Sequence, residues 1–199
     1  MLKKTENGYE LARFGDLGIF LEIICEQYKV YSNFQNKRPN LDQLEPEDII
    51  RLNHNQIDPL YISTLFSAMF LEAYIYDYGA RKSSASYIEN YIDKLSPQAK
   101  CIIVTQLFNE VGIDASSQTF EGIKKIFGCR NSLAHNKTKE YNGLDSLKDK
   151  KPKTLKPLEC VDIIINVMNE LLSVDPDELY ASIVIERLNT LKNQYPVSD

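Results

Sequence analysis

The stretch from Leu60 to Ala80 constrains the fold more than any other part of the chain. Wound into a helix, it is apolar on nearly every side, through Leu60, Ile62, Leu65, Phe66, Met69, Phe70, Leu71, Ala73 and Ile75. A helix of this kind is usually central and buried in a packed domain. Asp58-Pro59 precedes the stretch and Gly79 lies at its end. We therefore predict a buried central helix that begins at Asp58-Pro59.

The remaining segments also have helical periodicity. Residues 9–34 repeat apolar side chains at three- and four-residue steps, and Pro46 is suited to open a short helix. Ser96-Pro97 is a helix start, as is Ser117 or Thr119, and two further helices cover 158–172 and the residues after Asp175. No segment keeps the alternation of apolar and polar side chains that is typical of a β-strand. We predict an all-α protein, with residues 1–57 as an N-terminal helical extension and 58–199 as an up-and-down bundle of four to five helices.

Composition limits the possible functions. The formal net charge of the 199 residues is −5, so we do not expect a broad basic surface that binds the phosphate backbone of a nucleic acid. A protein of this net charge can still contain a local basic cleft. Four cysteines without CxxC spacing and only two histidines argue against a structural zinc site, and we predict no metal and no cofactor. No apolar run approaches the ~18 residues of a membrane span, and the first residues contain no signal core. We predict a cytoplasmic protein without membrane contact.

The segment from Phe127 to Asn136 concentrates the candidate chemistry. On a helical wheel Arg130 falls inside an apolar arc that is formed by Ile123, Ile126, Phe127, Leu133 and Ala134. A guanidinium there is costly unless a carboxylate or a partner surface meets it. Asn131 and His135 lie four residues apart on the flank of the arc, so Asn131 could hydrogen-bond the imidazole. Arg130 and His135 are about 140° apart, so they converge only if the helix breaks or across a two-fold axis between two chains.

Arg130-Asn131-Ser132-Leu133-Ala134-His135 resembles the Arg-x(4–6)-His motif of HEPN domains, in which a polar residue commonly follows the arginine. The order of elements is also similar, with a long apolar helix that contains an acidic residue, then shorter helices, then the motif near a helix end. The resemblance covers residues 58–173. It implies a helical bundle that dimerises. The position two residues after the histidine, commonly Tyr in the toxin–antitoxin branch, is Lys137.

In HEPN ribonucleases, arginine and histidine of both protomers form one composite cleft that needs no metal. By resemblance, His135 would be the general acid–base group and Arg130 would hold the scissile phosphate, with Asn131 beside them. Attack by the RNA 2′-hydroxyl would then leave a 2′,3′-cyclic phosphate. Lys137 and Lys139, in the lysine-rich segment 136–157, are candidate RNA contacts. The resemblance also suggests a homodimer, a role in phage defence or stress response, and an antitoxin or regulatory protein as a partner.

Other roles of the same residues remain open. Glu72, in the nearly all-apolar helix, needs a partner if it is buried, and we expect it to pair with Arg130. Arg130 could instead be structural, with His135 capping the helix, and the chain would then be a non-catalytic module that binds a protein or nucleotide. The motif could also be a chance match. His54 is expected at an exposed helix end, the lysine-rich segment as a solvated loop, and Cys129 as a small core residue whose pKa Arg130 could lower.

Overall fold

A computed structural model describes residues 2–5, 8–12, 16–36, 46–135 and 153–197. Two strands, β1 (Leu2–Thr5) and β2 (Gly8–Ala12), pair antiparallel. The helices are α1 (Leu17–Asn36), α2 (Pro46–Lys82), α3 (Ala85–Tyr87), α4 (Pro97–Phe108), α5 (Gln118–Ala134), α6 (Pro157–Val174) and α7 (Leu179–Gln194), and a π-helical turn (Ile88–Ile92) follows α3. The prediction of an all-α helical bundle is confirmed.

The long helix α2 lies at the centre of the bundle. It packs against α1, α4, α5 and α6, and its aromatic residues Phe70, Tyr74 and Tyr78 are fully buried. One continuous apolar core includes residues of α1, α2 and all later long helices. This burial on many sides follows from the apolar character of residues 60–80, as the sequence predicts.

The predicted start of α2 is wrong. The helix begins at Pro46 rather than Asp58 and continues through Pro59, so the boundary predicted between residues 57 and 58 falls inside it. Proline removes one backbone hydrogen bond, whose carbonyl belongs to the residue four positions earlier. Residues 54–57 are exposed, so water can reach the freed carbonyl of Asn55 and the helix does not have to end there.

The predicted helix from Tyr9 is also corrected, because residues 8–12 form strand β2 and α1 begins only at Leu17. The dipeptide Asn7-Gly8 favours tight turns between paired strands, and this local preference opposes a helix at that position. The first helical bond of this region runs from the Phe20 N–H to the Asp16 carbonyl. From Leu17 onward the predicted apolar stripe is present and buried.

Cap residues set the ends of the helices that position the candidate site. Ser96 and Ser117 accept hydrogen bonds from the backbone N–H groups three residues later, as the sequence predicts for helix starts. Ahead of α6, Leu155 is buried and its N–H bonds to the Thr64 hydroxyl. The end of the segment predicted as a solvated loop therefore docks on α2. No helix in the described ranges is long and apolar enough to cross a membrane.

Candidate functional site

The C-terminal half of α5 leaves the core of the bundle. Ile123, Ile126 and Phe127 are buried, whereas from Gly128 to His135 every residue is half-buried or exposed. The predicted apolar arc therefore ends at Phe127, because Leu133 is only half-buried and Ala134 is exposed. The motif lies on the part of the helix that meets solvent.

Helix α5 does not break between the two motif residues. It runs to Ala134, and the His135 N–H still bonds the Asn131 carbonyl at 3.0 Å. Arg130 and His135 therefore keep the angular separation of a regular helix, about 140°. A helix break could bring Arg130 and His135 together, but α5 has none between them. The remaining arrangement is a two-fold axis that joins two copies of the chain.

Arg130 is held by the carboxylate that the sequence predicts. Its Nη2 donates to Glu72 Oε2 at 2.9 Å, across the contact between α5 and α2. The guanidinium carbon also lies 5.7 Å from the centre of the Phe127 ring, within the range of cation–π attraction. A quarter of the Arg130 side chain remains exposed (25%), so the remaining N–H donors of its planar fork are not sealed off from solvent.

Glu72 has a second cation, which the sequence did not reveal. Lys100 on α4 places its Nζ 3.4 Å from Glu72 Oε1 and 2.7 Å from Asp93 Oδ1. Lys100 is buried, while the Asp93 side chain is about half exposed. The local sequence gives no signal for this contact, because it depends on how α4 and the π-helical turn pack on α2.

Asn131 and His135 are both exposed at the end of α5. His135 is the C-terminal cap residue of the helix, as the structural interpretation of the motif expects. Within the described residues, neither the Asn131 amide nor the His135 ring has a hydrogen-bonding partner. The bond considered between these two side chains is therefore not formed, and no described residue occupies the His135 imidazole.

The remaining predicted residues are separate from this cluster. Lys137 and Lys139 lie outside the described residues. His54 is exposed, as predicted, but lies inside α2 rather than at a helix end, with its Nδ1 3.1 Å from Asp58 Oδ2. Asp77, a second carboxylate on α2, accepts a hydrogen bond from Arg81 Nε at 3.0 Å and does not contact Arg130.

A second ion network, at the C-terminal end of α2, was not predicted from the sequence. The buried Glu178 carboxylate accepts both terminal nitrogens of Arg81, at 2.7 and 2.9 Å, and the Tyr74 hydroxyl at 2.9 Å. Burial and the adjacent Glu178 carboxylate raise the pKa of Tyr74 far above its ordinary value. Every acceptor is matched by a donor, which is the pattern of a structural clamp rather than of an open site.

The cysteines are not candidates for catalysis. Burial raises the pKa of Cys101 to about 12 and that of Cys160 to about 12, so both thiols stay neutral. Burial also raises the pKa of Cys129, which corrects the idea that Arg130 lowers it. Among the described residues, no three His, Cys, Asp or Glu side chains are grouped so that they could hold a metal ion.

Comparison with known proteins adds no assignment: no protein-family model, no curated protein and no solved structure matches the chain. The functional argument therefore rests on the residues of this chain and on their arrangement.

Proposed function

We propose that this chain is a HEPN-like endoribonuclease that cleaves RNA without a metal ion, with Arg130, His135 and Asn131 at its site. The observation that supports this most is the exposed end of α5. There Arg130 is anchored by Glu72, and the Asn131 amide and the His135 imidazole, within the same six residues, have no hydrogen-bonding partner in the described part of the chain.

The chemistry would use each group in one role. The RNA 2′-oxygen attacks phosphorus, the bond from phosphorus to the 5′-oxygen breaks, and the products are a 2′,3′-cyclic phosphate and a 5′-hydroxyl. One imidazole accepts the proton of the 2′-hydroxyl, and a second protonated imidazole supplies the proton of the leaving oxygen. The Arg130 guanidinium, held by Glu72, binds the phosphate oxygens as their negative charge grows.

This reaction needs two copies of the chain. His54 lies on α2 in contact with Asp58 and is not part of the α5 cluster, so one chain supplies one suitable imidazole. A second copy would supply the other, and would also bring an arginine to the face of α5 that carries His135. We therefore propose a homodimer with a composite cleft. Lys137 and Lys139 are proposed contacts for neighbouring phosphates.

The two histidines give a matched experiment. Cleavage of a fluorescent single-stranded RNA is measured with a metal chelator present, for the unmodified protein and for His135→Ala and His54→Ala. General acid–base catalysis contributes about 10²- to 10⁴-fold, so His135→Ala should lose activity by that factor. His54→Ala should cleave within twofold of the unmodified protein.

Mass spectrometry of the fragments should find 2′,3′-cyclic phosphate ends, and circular dichroism should find the same helix content in all three proteins. If His135→Ala cleaves as fast as the unmodified protein, the proposed site is wrong. If the unmodified protein cleaves no RNA between pH 5 and 9, the proposed activity is wrong.

A second candidate function is a non-catalytic interaction module. It is favoured by one observation: Arg130 is already paired with Glu72, and His135 caps α5 through its backbone, so both residues also have structural uses. In that case Arg130→Ala would lower thermal stability or weaken self-association, and no RNA would be cleaved by any variant.

A further inference from the structure

Lys100, the lysine of α4 that contacts Glu72, is a charged residue in a buried position. Lys100 is 6% exposed, and fully solvated lysines are the norm in proteins because burial of an ammonium group is costly. A purely structural pair would require only Asp93, whose Oδ1 lies 2.7 Å from Lys100 Nζ. Lys100 nevertheless also reaches Glu72 Oε1, at 3.4 Å.

Glu72 is thereby held at both carboxylate oxygens. Oε1 faces Lys100 and Oε2 accepts from Arg130, so the carboxylate is a bridge between two cations. A carboxylate fixed at one oxygen can rotate about its side-chain bonds, and a third of the Glu72 side chain is exposed, which leaves room for such motion. Contact at the second oxygen restricts that rotation and so restricts Arg130.

Lys100 also affects the sum of the charges around the Arg130 guanidinium. Arg130, Glu72, Lys100 and Asp93 together carry two positive and two negative charges, and the Glu72 carboxylate is shared between the two cations. Without Lys100, the cluster would carry one positive and two negative charges, and Glu72 would pair with Arg130 alone. Both changes would weaken the attraction of Arg130 for a phosphate.

We infer that Lys100 is a positioning residue: through Glu72 it fixes the orientation of Arg130 and keeps the guanidinium available to an anion. This inference rests on the proposed function for its consequence in catalysis. The orientation of Arg130 can be measured without any RNA, so the two can be tested separately.

The test compares three substitutions of the full-length chain. Lys100→Met removes the charge and keeps the apolar stem, Lys100→Arg keeps the charge, and Lys125→Met removes a surface lysine of α5 that pairs with Glu159 instead. The probe is the side-chain Nε–Hε signal of Arg130 in a ¹⁵N NMR spectrum, assigned by its loss in Arg130→Lys.

In Lys100→Met the Arg130 signal should move toward that of free arginine and exchange faster with water. In Lys100→Arg it should stay close to its original position, and in Lys125→Met it should not change. In the cleavage assay, misplacement of a group that contacts the substrate costs up to about 10²-fold, so kcat/KM of Lys100→Met should fall at least tenfold. Lys100→Arg should recover most of that loss.

Should Lys100→Met fail to fold because Asp93 is left unpaired, Lys100→Met/Asp93→Asn removes both members of that pair and should give the same Arg130 signal. An unchanged Arg130 signal in a folded variant, with only a lower melting temperature, would overturn the inference. A shifted signal in a protein that cleaves no RNA would support the role of Lys100 and refute the proposed function.

Discussion

Among single residues, Asp175 shows how the ion pairs at the C-terminal end of α2 respond to pH. This buried carboxylate accepts the Tyr78 hydroxyl at 2.8 Å and faces Lys82 Nζ at 2.6 Å. Burial by itself would raise the pKa of Asp175, but the Lys82 ammonium and the Tyr78 hydroxyl outweigh it, and the pKa lies below its ordinary value. A lowered folded-state pKa means that the charged form is bound more tightly in the folded protein.

We therefore expect Asp175 to stabilise the protein at neutral pH and to lose that contribution as the pH falls below about 4, the ordinary pKa of aspartate. Asp175→Asn should lower the free energy of unfolding at pH 7 by about 1.5 to 3 kcal/mol, the worth of hydrogen bonds to a buried charge. The difference from the unmodified protein should shrink below pH 4. Urea titrations at pH 7 and pH 3 measure both values.

The matched control for this prediction is Asp162→Asn, which removes a carboxylate from a more exposed pair with Lys192. Its effect at pH 7 should stay below about 1 kcal/mol, as for other surface ion pairs. If Asp175→Asn has the same stability as the unmodified protein at both pH values, the contacts of Asp175 with Lys82 and Tyr78 do not contribute as argued.

At the scale of elements, two glycines have opposite environments. A Cβ on Gly112 would lie 2.7 Å from the backbone nitrogen of Gln106, so the turn after α4 would have to move. A Cβ on Gly128, inside α5, would meet nothing within 4 Å. Gly112→Ala should therefore lower the free energy of unfolding by about 1 to 3 kcal/mol. Gly128→Ala should raise it by about 0.5 to 1 kcal/mol.

Thermal melts of the two variants, one beside the other, check this prediction. A stabilised Gly112→Ala protein would contradict the close approach of the turn to α4. A destabilised Gly128→Ala protein would instead indicate that the exposed end of α5 contacts something that a single chain does not contain.

The elements also show what the sequence could predict. Arg130 and Glu72 each stand in an apolar stretch of a different helix, and an isolated charge in such a place needs an opposite charge, so their pairing could be predicted. Lys100 and Asp93 could not be found in this way, because a lysine in the first turn of α4 and an aspartate beside Lys94 give no sign that they meet or that Lys100 is buried. Their contact exists only after α4 and the π-helical turn have packed on α2.

Predictions from local sequence preferences are incomplete where tertiary contacts determine the structure. The sequence predicts a helix start at Pro59, but Pro59 lies inside α2, whose later residues are fixed by core packing on several sides. The segment from Asp175 to Glu178 precedes a helix, as the sequence predicts, and Glu178 is the N-cap residue of α7. The sequence does not predict that both carboxylates are buried partners of α2, because this depends on the chain between α6 and α7 folding back on Lys82 and Arg81.

At the scale of the whole molecule, the continuity of α5 makes the proposed site depend on two chains. In one chain Arg130 and His135 point about 140° apart, with Arg130 toward α2 and His135 toward solvent. A site built from one chain would contain only one of the two groups. A site at a two-fold axis would combine Arg130 of one copy with His135 of the other.

Mixed dimers test this arrangement directly. Unmodified chains are co-expressed in equal amounts with His135→Ala chains, so that mixed dimers contain one imidazole instead of two and should be inactive. Random pairing leaves a quarter of the dimers with two imidazoles, so about a quarter of the unmodified activity should remain. The control is the unmodified chain co-expressed with His54→Ala, which should keep nearly all of its activity. If about half of the activity remains instead, each chain acts alone, and α5 must then unwind between Arg130 and His135 when RNA binds.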